Sequence, residues 1–248
     1  MRIVIATQDA PIYLPEFLDL FFKNLDKNIC VCAIIILPSH QRGLFDLVKN
    51  YFALYGLKSF VVFFLKVLGQ KIKGRTVVKI SQKHQIKIIR QDKIIANSFR
   101  NFAKENKIDL LVSVASPQIF SKNIFSAPKY GAINYHSSLL PKYRGRMPLF
   151  WALFHNEKYC GVTVHQIARR LDGGKILAQE KIKISAQDSL DDLYQKTIRS
   201  GAPLLAKVIG NLDYYSDNAS PQKHSQKNTY AFPTPTDSVL FRKNHRFF

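Results

Sequence analysis

Short apolar runs alternate along this chain with longer stretches of helical spacing. Arg2–Thr7 (RIVIAT) and Val31–Leu37 (VCAIIIL) are almost wholly apolar, the pattern of strands covered on both faces. The stretch from about Leu14 to Leu25 between them reads as a helix. Strand, helix and strand in this order predict a parallel α/β sheet with a right-handed crossover. Further along, Leu110–Val114, Ala132–His136, Gly161–Gln166 and Lys175–Ile184 read as strands, and Thr76–Ile80 as a short one. Ser98–Asn106, Ser121–Phe125 and Met147–His155 read as helices. Asp188–Ile209 predicts a long helix whose acidic opening suits the positive end of its dipole.

Two stretches depart from this alternation. Gln41 to Arg75 reads as a helical insertion. Within it, Tyr51–Leu68 (YFALYGLKSFVVFFLKVL) is apolar apart from Gly56, Ser59, Lys58 and Lys66. Its lysines argue against stable membrane insertion and favour a buried or partly buried amphipathic helix. The basic residues Lys66, Lys71, Lys73 and Arg75 keep a peripheral membrane contact open. From Asn211 the composition turns to Asn, Ser, Gln and Lys and then to Phe232-Pro-Thr-Pro, read as loop and short appendage. The expected organisation is one domain over residues 1–210 and an appendage over 211–248. No internal repeat is visible.

With 46% hydrophobic and 22% charged residues among 248, the chain is not largely disordered. Its net charge of +20 directs it toward anionic partners, which include nucleic acids, nucleotides, polyanionic cofactors and acidic membranes. Cys30, Cys32 and Cys160 are too few for a disulfide scaffold or a four-cysteine zinc site. Cys30 and Cys32 share a strand face and read as small core residues. The apolar run behind Arg2 is too short for a signal-peptide core, so the expected compartment is the cytoplasm.

The chemistry concentrates in INYHSSLLPKYRGRMP, Ile133 to Pro148. Period-two alternation puts Asn134 and His136 on one face of a strand, at the carboxyl edge where open α/β sheets place ligands. A Leu139-Leu140-Pro141 turn follows, and Gly145 lets backbone approach a substrate. Downstream, GVTVHQI (Gly161–Ile167) is a strand and RRLDGGKI presents Asp172 on a glycine-rich loop. An amide that can donate to a developing oxyanion, an imidazole that titrates near neutrality and a carboxylate are the equipment for acyl transfer. Taken singly, His136 reads equally as a structural histidine and Asp172 as a turn residue. His165 reads as an acceptor contact or a core residue, and Arg144 and Arg146 as solvated charges or phosphate contacts. Phe150, Trp151 and Phe154 stand at helical spacing and read as core. His40, His84, His155, His224 and His245 show no ligand spacing, and no metal site is expected.

Asn134-x-His136-x-Ser138-Leu139-Leu140-Pro141, Arg144-Gly145, Gly161-Val162-Thr163 and Asp172 resemble the 10-formyltetrahydrofolate-dependent formyltransferases. The resemblance covers about Arg2 to Ile209 and is strongest from Leu110 to Gln179. It implies a Rossmann-like sheet with flanking helices and transfer of a formyl group from folate to a primary amine. Asn134, His136 and Asp172 fall on the family's catalytic trio. The resemblance implies that Asn134 and protonated His136 steady the oxyanion while Asp172 assists proton removal. Whether His136 or Asp172 is the formal base stays open. Gln118, Ile119 and Phe120 fall where relatives hold the folate pterin, and Leu140 and Pro141 are assigned to the same co-substrate.

Lys142-Tyr-Arg-Gly-Arg146 and a His two residues after Thr163 resemble the branch that formylates nucleotide-linked amino sugars, with Arg144, Arg146 and His165 as acceptor contacts. Methionyl-tRNA enzymes carry a C-terminal β-barrel that Asn211–Phe248 is too short to supply, whereas the +20 charge suits initiator tRNA. A formyltetrahydrofolate hydrolase and a non-catalytic folate or nucleic-acid binder are the lesser alternatives. Pairing through C-terminal elements in the sugar branch implies a homodimer through the final forty residues.

Overall fold

The computed structural model of the protein describes residues 1–10, 12–38, 44–223 and 229–248, with backbone alone for 44–50. Gln41, at the start of the predicted insertion, and His40 and His224 lie outside the described residues. The first half runs β1 (Arg2–Gln8), α1 (Leu14–Asn24), β2 (Cys30–Leu37), α2 (Leu44–Ile72), α3 (Val77–Lys83), β3 (Ile88–Arg90), α4 (Ala96–Glu105) and β4 (Leu110–Val114). The second runs α5 (Lys122–Phe125), β5 (Ala132–His136), β6 (Arg144–Gly145), α6 (Pro148–Phe154), β7 (Tyr159–Gln166) and β8 (Ile176–Lys183). It ends in α7 (Leu190–Gly210), α8 (Leu212–Asp217), β9 (Thr229–Tyr230) and α9 (Pro235–Asn244).

Seven strands form one sheet in the order β3-β2-β1-β4-β5-β7-β8. The first five lie parallel, and β7 and β8 close the far side antiparallel. The chain order reverses direction across the sheet between β1 and β4, the place where doubly wound folds open a crevice at their carboxyl ends. One core cluster packs α1 and α7 on the sheet through Phe17, Leu18, Phe21, Ile198 and Leu205. The second joins Phe99 and Ala103 of α4 to the other face. The α/β Rossmann-like sheet with flanking helices is therefore present, with α7 set by a Ser189–Asp192 capping box.

Three expectations need correction. Thr76–Ile80 is not a strand: Thr76 accepts a hydrogen bond from the Lys79 amide at 3.2 Å and starts α3, so capping overrides the β-branched pair Val77-Val78. The short strand β3 lies at Ile88–Arg90 instead. Cys30 is not a core residue: it is exposed at the start of β2, whereas Cys32, half-buried, packs against the second core cluster.

The described part of the tail, residues 211–223 and 229–248, is not a loop: it carries α8, β9 and α9 and packs on the rest of the chain. Helix α9 is set by a Thr234–Asp237 capping box, and Phe241 and Phe247 are fully enclosed against Phe150. The Leu190 and Asp191 amides at the start of α7 donate to the carbonyls of Arg246 and Phe247. Arg242 takes part in this packing. Arg242 donates to the Ala53 and Leu54 carbonyls at 3.2 and 2.7 Å, capping the first arm of α2 where Gly56 breaks it at a positive φ of 70°.

Candidate active site

Strand β5 carries Asn134 and His136, and β7 runs antiparallel beside it with His165 opposite Asn134 and Thr163 opposite His136. The β7–β8 connection then folds Asp172 back over both histidines. Its backbone takes a left-handed turn at Asp172 (φ 45°), and a side chain at Gly174 would collide with the Gln166 carbonyl. Glycine at 174 is thus what lets the loop close.

Asp172 lies between two imidazoles. Its Oδ2 is 3.9 Å from His136 Nδ1 and its Oδ1 3.7 Å from His165 Nε2. The Gly145 amide donates to Oδ2 at 2.8 Å. His136 is 7% exposed, and its Nε2 lies 2.8 Å from the Tyr143 carbonyl, which can only accept; the Nε2–H therefore points there and Nδ1 faces Asp172. His165 is 2% exposed, with Nδ1 2.9 Å from the Gln166 carbonyl. Its proton sits on Nδ1, so Nε2 accepts from the Asn134 amide nitrogen at 3.1 Å. Burial, opposed by Asp172, brings the pKa of His165 down to about 4, so this ring is neutral at pH 7. The second N–H of the Asn134 amide is left to meet a ligand.

A second set of contacts fixes the turn after β5. Thr163 donates to the Ser138 carbonyl at 2.6 Å and accepts from the Leu140 amide at 3.2 Å, while Gln179 donates to the Leu140 carbonyl at 2.8 Å. The Leu140–Pro141 bond is cis. Leu140 is buried with its amide and carbonyl both hydrogen-bonded, so it supports the turn. Pro141 lines a cavity of about 370 Å³ with Ser137, Leu139, Tyr143, Glu157 and Lys181. A cavity of about 290 Å³ abuts the Asp172 loop through Gln166, Ile167, Gly173, Gly174 and Gln222. Neither cavity is lined by Asn134, His136 or Asp172 themselves.

The two arginines part ways. Arg144 is 1% exposed and donates to Gln222 Oε1 at 2.9 Å, so it is no solvated charge. Burial, reinforced by Arg170, lowers its pKa. Arg146 is exposed, with its guanidinium 5.5 Å over the Phe232 ring. Gln118, Ile119 and Phe120 follow β4 at the carboxyl edge. The Gln118 side chain exchanges two hydrogen bonds with the Ile94 backbone, Phe120 is buried in the second core, and Ile119 is 71% exposed.

Sequence reasoning missed Gln222. It donates to the Asp172 and Gly174 carbonyls at 2.9 and 2.6 Å while accepting from Arg144. It lies in a stretch whose composition reads as loop, and only its burial among orphan carbonyls reveals the role. Tyr230 was missed likewise: β9 pairs with β6, and the Arg146 amide donates to the Tyr230 carbonyl at 2.9 Å. Residues of the tail therefore brace the segment that holds Asp172.

The chain is 35% identical over 214 residues to a methionyl-tRNA formyltransferase of Clostridium tetani (strain Massachusetts / E88), covering 86% of this chain and 61% of that protein. It spans about half the length of the curated relatives it matches. Its fold is similar to a phosphoribosylglycinamide formyltransferase from Anaplasma phagocytophilum, with a TM-score of 0.61 at 16% identity over 94% of this chain and 95% of the other. It is also similar to an N-formyltransferase from Helicobacter canadensis solved with folinic acid and dTDP-3-aminofucose, with a TM-score of 0.55 at 19% identity, covering 92% and 70%. At these identities the structural likeness is one of fold. Residues 64–209, more than half of the chain, match the formyl transferase family, and the chain belongs to it.

Proposed function

We propose that this chain transfers a formyl group from 10-formyltetrahydrofolate to a primary amine, with Asn134, His136 and Asp172 as its reacting cluster. The observation that supports this reading is the meeting of amide, imidazole and carboxylate at one sheet edge, with Asp172 3.9 Å from His136 and Asn134 held by His165. When bound, the folate supplies an activated formyl carbon. The free N–H of Asn134 donates to the formyl oxygen as charge develops there. His136 is anchored through Nε2 and has Nδ1 beside Asp172; carrying a proton on Nδ1, it would donate to the same oxygen. As the amine nitrogen bonds to the formyl carbon, Asp172 takes up the proton that the amine loses, directly or through water, and that proton passes to the folate nitrogen as its bond to the formyl carbon breaks. The apolar side chain of Ile119 and the main chain of residues 118–120 form the surface that the pterin ring would cover. Ile119, 71% exposed, offers apolar area on which a flat ring could stack.

The acceptor we assign is a nucleotide-linked amino sugar. The support for this assignment is that Arg146 stands exposed one residue from Gly145, which binds Asp172, where a guanidinium would pair with a phosphate of such a substrate. Arg144, committed to Gln222, holds the loop rather than the acceptor. A second reading, methionyl-tRNA formylation, is favoured by the Clostridium tetani relative and by the +20 charge. Labelled formyl donor offered with 4-amino and 3-amino sugar nucleotides, or with charged initiator tRNA, separates the two. Label on a sugar nucleotide supports the first. Label on tRNA alone replaces it with the second.

A further inference from the structure

The Gly56 break turns residues 57–72 into a rod of their own, and its two faces differ in what covers them. Phe60 and Phe63 pack inward on the third core cluster, and Lys66 pairs with Asp191. The outward face carries Leu57, Val61, Phe64, Leu65, Leu68 and Ile72, all exposed. At about 100° per residue these six fall within a stripe roughly 100° wide, a coherent apolar face rather than scattered surface residues. An 18-residue window within Tyr51–Lys83 has a mean hydropathy of 1.7, yet 11% of it is buried.

The charges beside this stripe are of one sign. Lys58, Lys71, Lys73 and Arg75 are exposed around it, and no Asp or Glu occurs between Asp46 and Asp92. Two copies meeting stripe to stripe would bring these cations together without a compensating carboxylate. A nucleic acid would satisfy the cations and leave six apolar side chains in water. An anionic bilayer surface satisfies both, taking the apolar side chains below its headgroups and the lysines among its phosphates. The inward face is held by the protein core, so the rod can lie on a membrane and cannot cross it.

We propose that the 57–72 helix docks this protein on the surface of an anionic lipid bilayer. The inference is independent of the formyl-transfer reading. The test is flotation of the full chain with phosphatidylcholine vesicles, alone or with about 30 mol% phosphatidylglycerol, at two ionic strengths. Binding to the anionic vesicles is expected, weakened by 0.5 M salt and absent for neutral ones. Phe64→Ser with Leu68→Ser touches only exposed side chains and should leave the circular dichroism and thermal melt unchanged while abolishing flotation. Lys58→Gln, Lys71→Gln and Lys73→Gln together should weaken it by roughly fivefold per cation. Wild-type protein that fails to float, or a Phe64→Ser/Leu68→Ser variant that floats as well as wild type, overturns the proposal. So does a concentration-dependent dimer lost in that variant without vesicle binding, or capture of tRNA through the stripe instead.

Discussion

Asn134 and His165 face each other across the β5–β7 pair, with the amide nitrogen 3.1 Å from a ring nitrogen whose partner donates to the Gln166 carbonyl. The histidine thereby fixes which end of the amide points to the reaction. His165→Ala removes that constraint and lets Asn134 rotate. The expected result is a 10- to 100-fold loss in kcat of order set by misplacement, with little change in the KM for folate, measured by steady-state formyl transfer.

His165 also gives stability a pH dependence whose sign is fixed. Its folded pKa of about 4 lies below the 6.5 of the unfolded chain, so the unfolded state binds more protons between those values. Stability is complete above pH 6.5 and falls as the pH drops toward 4, by roughly 3 kcal/mol across the window. Urea unfolding at pH 7 and pH 4.5 should show a steeper loss for wild type than for His165→Gln, whose side chain does not titrate. Equal losses in both proteins would remove His165 from this account.

Gln222 ties the Asp172 and Gly174 carbonyls to the Arg144 guanidinium. Gln222→Ala leaves the Asp172 and Gly174 carbonyls and one Arg144 nitrogen without this partner. At ~1 kcal/mol for each hydrogen bond lost, the variant should be destabilised by about 2–3 kcal/mol and should lose activity as the Asp172 loop loosens. Chemical denaturation read beside turnover checks both.

The tail contributes to the core of the domain. Phe241 is fully enclosed between Phe150 and Phe247. Phe241→Ala should destabilise the protein by about 3–5 kcal/mol, the range for truncating a buried phenylalanine. A thermal melt that hardly moves would mean that the last helix is not part of the cooperative unit.

The parallel sheet and the common strand face of Asn134 and His136 were legible in the sequence because both rest on local signals. Apolar runs reported β1, β2, β4 and β5, and period-two alternation put Asn134 and His136 on one face. The tail was illegible for a physical reason: its order comes from Phe241, Phe247 and Gln222 meeting residues far away in the chain, and its local composition resembles a loop. Arg144 misled for the same reason, since nothing beside it announces that Gln222 closes over it. Thr76-Val77-Val78 misled in the opposite direction, because strand propensity is a weaker instruction than a side-chain cap.

Single-turnover transfer of labelled formyl from 10-formyltetrahydrofolate, compared between wild type and Asn134→Ala, His136→Ala and Asp172→Ala, tests the reacting cluster most directly. Each variant should keep its circular dichroism spectrum and lose about 10²–10⁴-fold in rate, the range for removing an oxyanion donor or a proton-transfer group. Folded variants that transfer formyl at the wild-type rate would contradict the assignment of these three side chains to the chemistry.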